Sequence, residues 1–149
     1  MPSPTFLQVA LNGDRIHSAA PRTPSAIAEA AGAVVRAGAH SVHVHAFDQA
    51  GRETLDGTVC ADVLRRIRRL CPGTPVSLTT SATIVANPRE RVRIVDAWTD
   101  LPDLVTINQG ERGIIELGEI LLGRGVGIEA GLLTVDDARA FVGSGLAGR

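Results

Sequence analysis

Cysteine is scarce in this chain. The two present, Cys60 and Cys71, are too few for a disulfide framework, and their spacing fits neither a zinc knuckle nor a CxxC redox pair. Reduced thiols and a cytoplasmic location are therefore expected. The opening Met1-Pro2-Ser3-Pro4 lacks the charged and apolar regions of a signal peptide. No apolar run approaches the ~20 residues needed to span a bilayer, so no membrane partner is expected. A formal net charge of −1 gives no electrostatic footprint for nucleic acid. The one basic cluster, Arg65-Arg66-Ile67-Arg68-Arg69, shares a helical stretch with Val63, Leu64, Ile67 and Leu70. Its arginines fall on the solvent side of an amphipathic helix. The GxGxxG fingerprint that a dinucleotide fold places after an early strand is also missing.

What is present reads as a regular alternation. Strand-like runs over 6–12, 41–47, 75–80, 104–108 and 126–129 are each followed by a helical segment. The helices are expected over 24–37, 58–70, 88–98 and 113–122, with a last one after Thr134. Thr23, Asn87 and Thr134 stand where N-caps belong, Pro24 and Pro88 follow at first-turn positions, and Gly38 and Pro72-Gly73 stop helices. Strands that are apolar on both faces suit a parallel sheet covered by helices, joined by right-handed crossovers. The expectation is an α/β protein: a parallel (βα) repeat of TIM-barrel type in one domain over 1–149. Five units fall three short of the eight that close a barrel. Strands one and five would be left with open edges, and a homo-oligomer is expected.

Polar residues recur where strands end: Asn12, His43 and His45, Thr79 and Thr80, Asn108, Glu129. In a barrel these ends gather around one mouth, where barrel enzymes keep their chemistry. His43 and His45 are most informative, because a strand alternates faces with period two and both imidazoles then point the same way. They make a half-site for a divalent metal. Glu129, a carboxylate among small residues at the end of an apolar strand, is the best third ligand, with Asp48 the alternative. Two histidines and a carboxylate with an open position describe a catalytic zinc site. Against this, a strand histidine also serves as an ordinary hydrogen-bonded core residue. Thr79, Thr80 and Asn108 could equally satisfy loop backbone groups. Asn12-Gly13 reads as a turn, Trp98 as packing, and His17 and His40 receive no role.

The segments Val42-His43-Val44-His45-Ala46-Phe47-Asp48, Ser77-Leu78-Thr79-Thr80, Thr106-Ile107-Asn108-Gln109-Gly110 and Gly125-Val126-Gly127-Ile128-Glu129 resemble the β-keto acid cleavage enzymes. The resemblance implies a TIM barrel holding Zn2+ through His43, His45 and Glu129. It implies condensation of a β-keto acid with acetyl-CoA, giving acetoacetate and a new acyl-CoA. Thr80 and Asn108 would then orient the substrate carboxylate. Two positions depart from the family pattern. Ala130 stands where an aspartate usually follows the glutamate, and Arg124 is displaced by one position from the family's arginine. A catalytically inactive metal-binding fragment of such a barrel is the competing reading, favoured by Ala130. A metal hydrolase of the amidohydrolase type also uses HxH on a barrel strand, but it wants further histidines and none follows His45.

Overall fold

The computed structural model describes residues 5–147. It alternates β1 (Gln8–Ala10), α1 (Pro24–Arg36), β2 (Ser41–Val44), α2 (Gly57–Leu70), β3 (Val76–Thr79), α3 (Pro88–Asp96), β4 (Leu104–Asn108), α4 (Ile114–Gly123), β5 (Gly127–Gly131) and α5 (Val135–Gly143). The strands form one parallel sheet in chain order, β1-β2-β3-β4-β5. This is the expected (βα) repeat, with β1 and β5 as the edges of an incomplete TIM-barrel-like sheet.

Helix starts follow from local chemistry. Thr23 Oγ1 accepts from the Ala26 amide at 3.2 Å. Asp56 caps α2 by accepting from the Thr58 and Val59 amides at 2.9 and 3.1 Å. Asn87 does the same for α3, and Thr134 with Asp137 forms a reciprocal capping box on α5. α4 starts differently. Its cap, Gly113, has φ 79°, and a Cβ there would lie 2.7 Å from Pro88 Cβ. Glycine is needed at that corner both for backbone conformation and for room.

Val42, Val44, Val76, Leu78, Val105 and Ile107 alternate onto the face covered by helices, each no more than 1% exposed. Ile27, Leu64, Ile67, Leu117 and Leu121 meet them there, so the apolar core lies between sheet and helices. Trp98 is buried just beyond α3 and donates from Nε1 to the Leu55 carbonyl at 2.8 Å, which makes it the packing residue expected. Three arginines of α2 pair on the surface: Arg65 with Asp100, Arg66 with Asp62 and Arg68 with Asp103. Both cysteines are free and buried. Among the described residues no helix is long and apolar enough to cross a membrane.

The sheet is strongly curved. Five flat strands would put their outer members about 19 Å apart. Yet Gln8 on β1 hydrogen-bonds Glu129 on β5 through side chains alone. Only an arc of barrel-like curvature brings the two edges within that reach.

Two outcomes follow from this packing. Trp98→Ala should destabilise the fold by about 3–5 kcal/mol in urea unfolding, since it opens a cavity and strands the Leu55 carbonyl. Burial, followed by the Asp56 carboxylate, pushes the Cys60 thiol up to about 12. The folded chain then holds that proton after the unfolded chain has lost it, so Cys60 makes stability fall as pH rises above the unfolded thiol's range of about 8.5. A disulfide reagent at about pH 8 should leave Cys60 unlabelled in the folded protein and label it in denaturant.

Candidate metal and substrate site on the concave face

Opposite the core, the concave face is polar. Gln8, His43, Ser77, Thr106 and Glu129, one from each strand, are joined in a single hydrogen-bonded group. Glu129 sits at its centre. Its Oε1 accepts from Gln8 Nε2, and its Oε2 accepts from Ser77 Oγ and, at 3.0 Å, from Thr106 Oγ1. Three donors from three strands therefore satisfy this half-buried carboxylate.

His43 lies against the same group, with Nδ1 3.0 Å from Ser77 Oγ, 3.4 Å from Thr106 Oγ1 and 3.9 Å from Glu129 Oε2. A hydroxyl has one proton, and Ser77 and Thr106 both give theirs to Glu129. His43 Nδ1 must therefore be the donor towards Ser77, which leaves the lone pair on Nε2. Burial, followed by the neighbouring His45, lowers the His43 pKa to about 4 against the opposing pull of Glu129. Its ring is neutral near pH 7, the form that binds metals.

His45 stands just past β2, where sheet pairing has ended. Asn12 replaces the missing strand partner: its Oδ1 accepts from the His45 amide at 2.7 Å and its Nδ2 donates to the His45 carbonyl at 3.0 Å. The same Nδ2 reaches the Pro21 carbonyl at 2.8 Å. Asn12, read both as a polar strand end at the mouth and as a turn, thus holds a candidate ligand in line. The His43 and His45 rings lie edge to face, centroids 5.3 Å apart. His45 Nδ1 donates to the carboxylate of Glu53, a residue that sequence reasoning missed.

The other expected site residues are committed to the scaffold. Thr80 is buried and donates to the Thr106 carbonyl at 2.8 Å, tying the end of β3 to β4. Thr79 Oγ1 accepts from the Ser81 amide at 3.3 Å. Asn108 donates to Glu111 Oε1 at 2.9 Å. Glu111 is in turn 3.3 Å from Arg91, a fully buried arginine that no sequence pattern flagged. Asp48 closes a turn by accepting from the Ala50 and Arg52 amides at 2.9 Å. These bonds hold its carboxyl below the usual range. Arg124 donates to the Asp96 carbonyl at 2.7 Å, at the C-terminal end of α3. His40 is remote from the site: its Nδ1 accepts from the Leu7 amide at 3.0 Å.

The fit to a metal is partial. Both imidazoles engage neighbours through Nδ1, the arrangement in which Nε2 is free to ligate. Glu129 shares their face but approaches His43 from the Nδ1 side. Among the described residues no three His, Cys, Asp or Glu side chains are gathered to hold a metal ion. The three expected ligands are close in position without converging on one point.

Asn108 lies over Gly131, where a Cβ would come within 2.2 Å of Asn108 Oδ1. Gly131→Ala should displace that amide from Glu111 and destabilise the fold by about 1–3 kcal/mol. A crystal structure and an unfolding curve of the variant would check both effects.

No curated protein matches the chain. Among solved structures, the apo structure of ObcA matches with a TM-score of 0.61 at 18% identity, over 74% of this chain and 30% of that one. At that identity the likeness establishes the fold, and the chain spans under a third of the ObcA length. The family profile described as beta-keto acid cleavage enzyme matches residues 4–140, nearly the whole of the described sheet and its helices. The chain belongs to the β-keto acid cleavage enzyme family.

Proposed function

We propose that the concave face is the metal-binding half of a site that exchanges acyl groups between a β-keto acid and acetyl-CoA, releasing acetoacetate and a new acyl-CoA. The observation that carries this reading is the pair of imidazoles standing side by side, ring centroids 5.3 Å apart, each engaging a neighbour through Nδ1 and so leaving Nε2 for a ligand. His43 and His45 would hold Zn2+ through those atoms. Glu129 would be the third ligand, exchanging its bonds to Ser77 and Gln8 for the cation. Bound there, zinc supplies a Lewis acid that polarises the ketone and stabilises the charge developing on its oxygen.

The chain's own side chains do the positioning. Asn108, at the open end of β4, would orient the substrate carboxylate through its amide. Thr80 would act through the Thr106 carbonyl, fixing the strand end that carries Thr106 and Asn108. Residue 130 is alanine and accepts no proton, so the base must stand elsewhere. The open edges at β1 and β5 are where a second copy would add strands.

Metal analysis of purified protein tests the reading first. Zinc should bind the wild type and be lost from the His43→Ala/His45→Ala double variant. Unchanged zinc in that variant would discard the assignment. Glu129→Gln should weaken zinc by roughly tenfold or more, and an unaltered affinity would remove Glu129 from the ligand set. A coupled assay for acyl-CoA formation then tests the reaction. Ala130 favours one other reading, a metal-binding relative without turnover. That reading requires tight zinc uptake and no acyl-CoA from any β-keto acid.

A further inference from the structure

The segment between β2 and α2 folds back on itself instead of running straight to its helix. The Asp48 amide donates to the Arg52 carbonyl at 2.8 Å, the Gly51 amide to the Asp48 carbonyl at 2.9 Å, and the Thr54 amide to the Ala46 carbonyl at 2.9 Å. Phe47 and Glu53 pair as an antiparallel bridge. Gly51 takes φ 74° at the tip, and Arg22, stacked 4.6 Å above the Phe47 ring, donates to its carbonyl at 2.9 Å. This small hairpin returns Glu53 to the imidazole of His45. Both side chains are only 16% exposed where they meet.

We infer that Glu53 is the positioning residue of the metal site: it fixes His45 in the Nδ1–H tautomer and aims Nε2 at the cation. The inference rests on the zinc reading above and adds a residue that the reading did not contain. An ionised carboxylate only accepts, so the ring must donate from Nδ1. A histidine held this way has one nitrogen left for a metal, with its orientation fixed and its basicity raised. Asn12 fixes the His45 backbone and Glu53 fixes its ring, so neither swing nor flip is left open. His43 reaches the same state by another route, through Ser77 and Glu129. The two ligands are thus oriented by separate carboxylates on separate elements.

The test uses two variants and two readouts. Nitrogen NMR of the histidine rings in metal-free wild type should show His45 protonated on Nδ1. Glu53→Leu should lose that preference, and Glu53→Gln, whose side-chain carbonyl still accepts, should keep it. Zinc affinity, measured by competition with a chelating dye on folded protein, should fall roughly 10–100-fold in Glu53→Leu. Glu53→Gln should recover part of that loss. Wild-type His45 protonated on Nε2, or Glu53→Leu binding zinc as tightly as wild type, overturns the inference while leaving the zinc reading intact. Wild type that takes up no zinc, with its tautomers as stated, overturns the zinc reading and this inference with it.

Discussion

The carboxylate of Glu129 is the constraint on which the concave face depends. A charge held partly out of water must be compensated by donors. Here they come from β1, β3 and β4, the nearest sequence neighbour among them 23 positions away. Meeting that requirement obliges the two sheet edges to face one another. The geometry of the site and the curvature of the sheet are therefore one fact. The same bonds fix His43, because hydroxyls that donate to Glu129 have no proton left for the ring. One acidic side chain sets the tautomer of a residue three strands away.

Stability and chemistry occupy opposite faces of the same strands. A closed barrel fills its interior with layers of branched apolar side chains. Here Val42, Val44, Val76, Leu78, Val105 and Ile107 turn outward beneath helices, and the alternating positions carry His43, Ser77 and Thr106, which face Glu129 of β5. Folding is driven where the helices dock. The polar face adds the bonds of Glu129 that draw β1, β3 and β4 towards β5.

Much of this was legible because it depends on local period. Runs of Val, Ile and Leu between capped helices gave the strand–helix order, and the period of two placed His43 and His45 on one face. The phase of alternation was harder to read. Thr79 and Thr80 are neighbours and cannot share a face, and the register of Thr79 with Thr106 turns Thr80 into the β4 backbone. Glu53 and Arg91 were not legible at all, and Asn12 was legible as a polar strand end at the mouth but not in its bonds to His45. Glu53 depends on a hairpin turning back through Asp48 and Gly51, and Asn12 on the end of sheet pairing at Val44. Arg91 depends on a loop carrying Glu111 to the surface of α3. None of these leaves a periodic trace in sequence.

The position of Glu129 sharpens the question of what completes the cation's shell. It approaches His43 beside Nδ1, 3.9 Å away, whereas His43 would hold a metal through Nε2. Serving as a ligand therefore requires it to release Ser77 and Gln8, which frees the Ser77 hydroxyl to accept or donate anew towards His43. That exchange is favourable only if the cation returns more than those two hydrogen bonds to a carboxylate are worth, each about 1.5–3 kcal/mol. Structural zinc in zinc-finger peptides binds with apparent values of about 10–16 kcal/mol, which is the scale a strongly held cation can return. A weakly held ion returns less. The part played by Glu129 is thus tied to the strength of the site as a whole, which His43 and His45 must first establish.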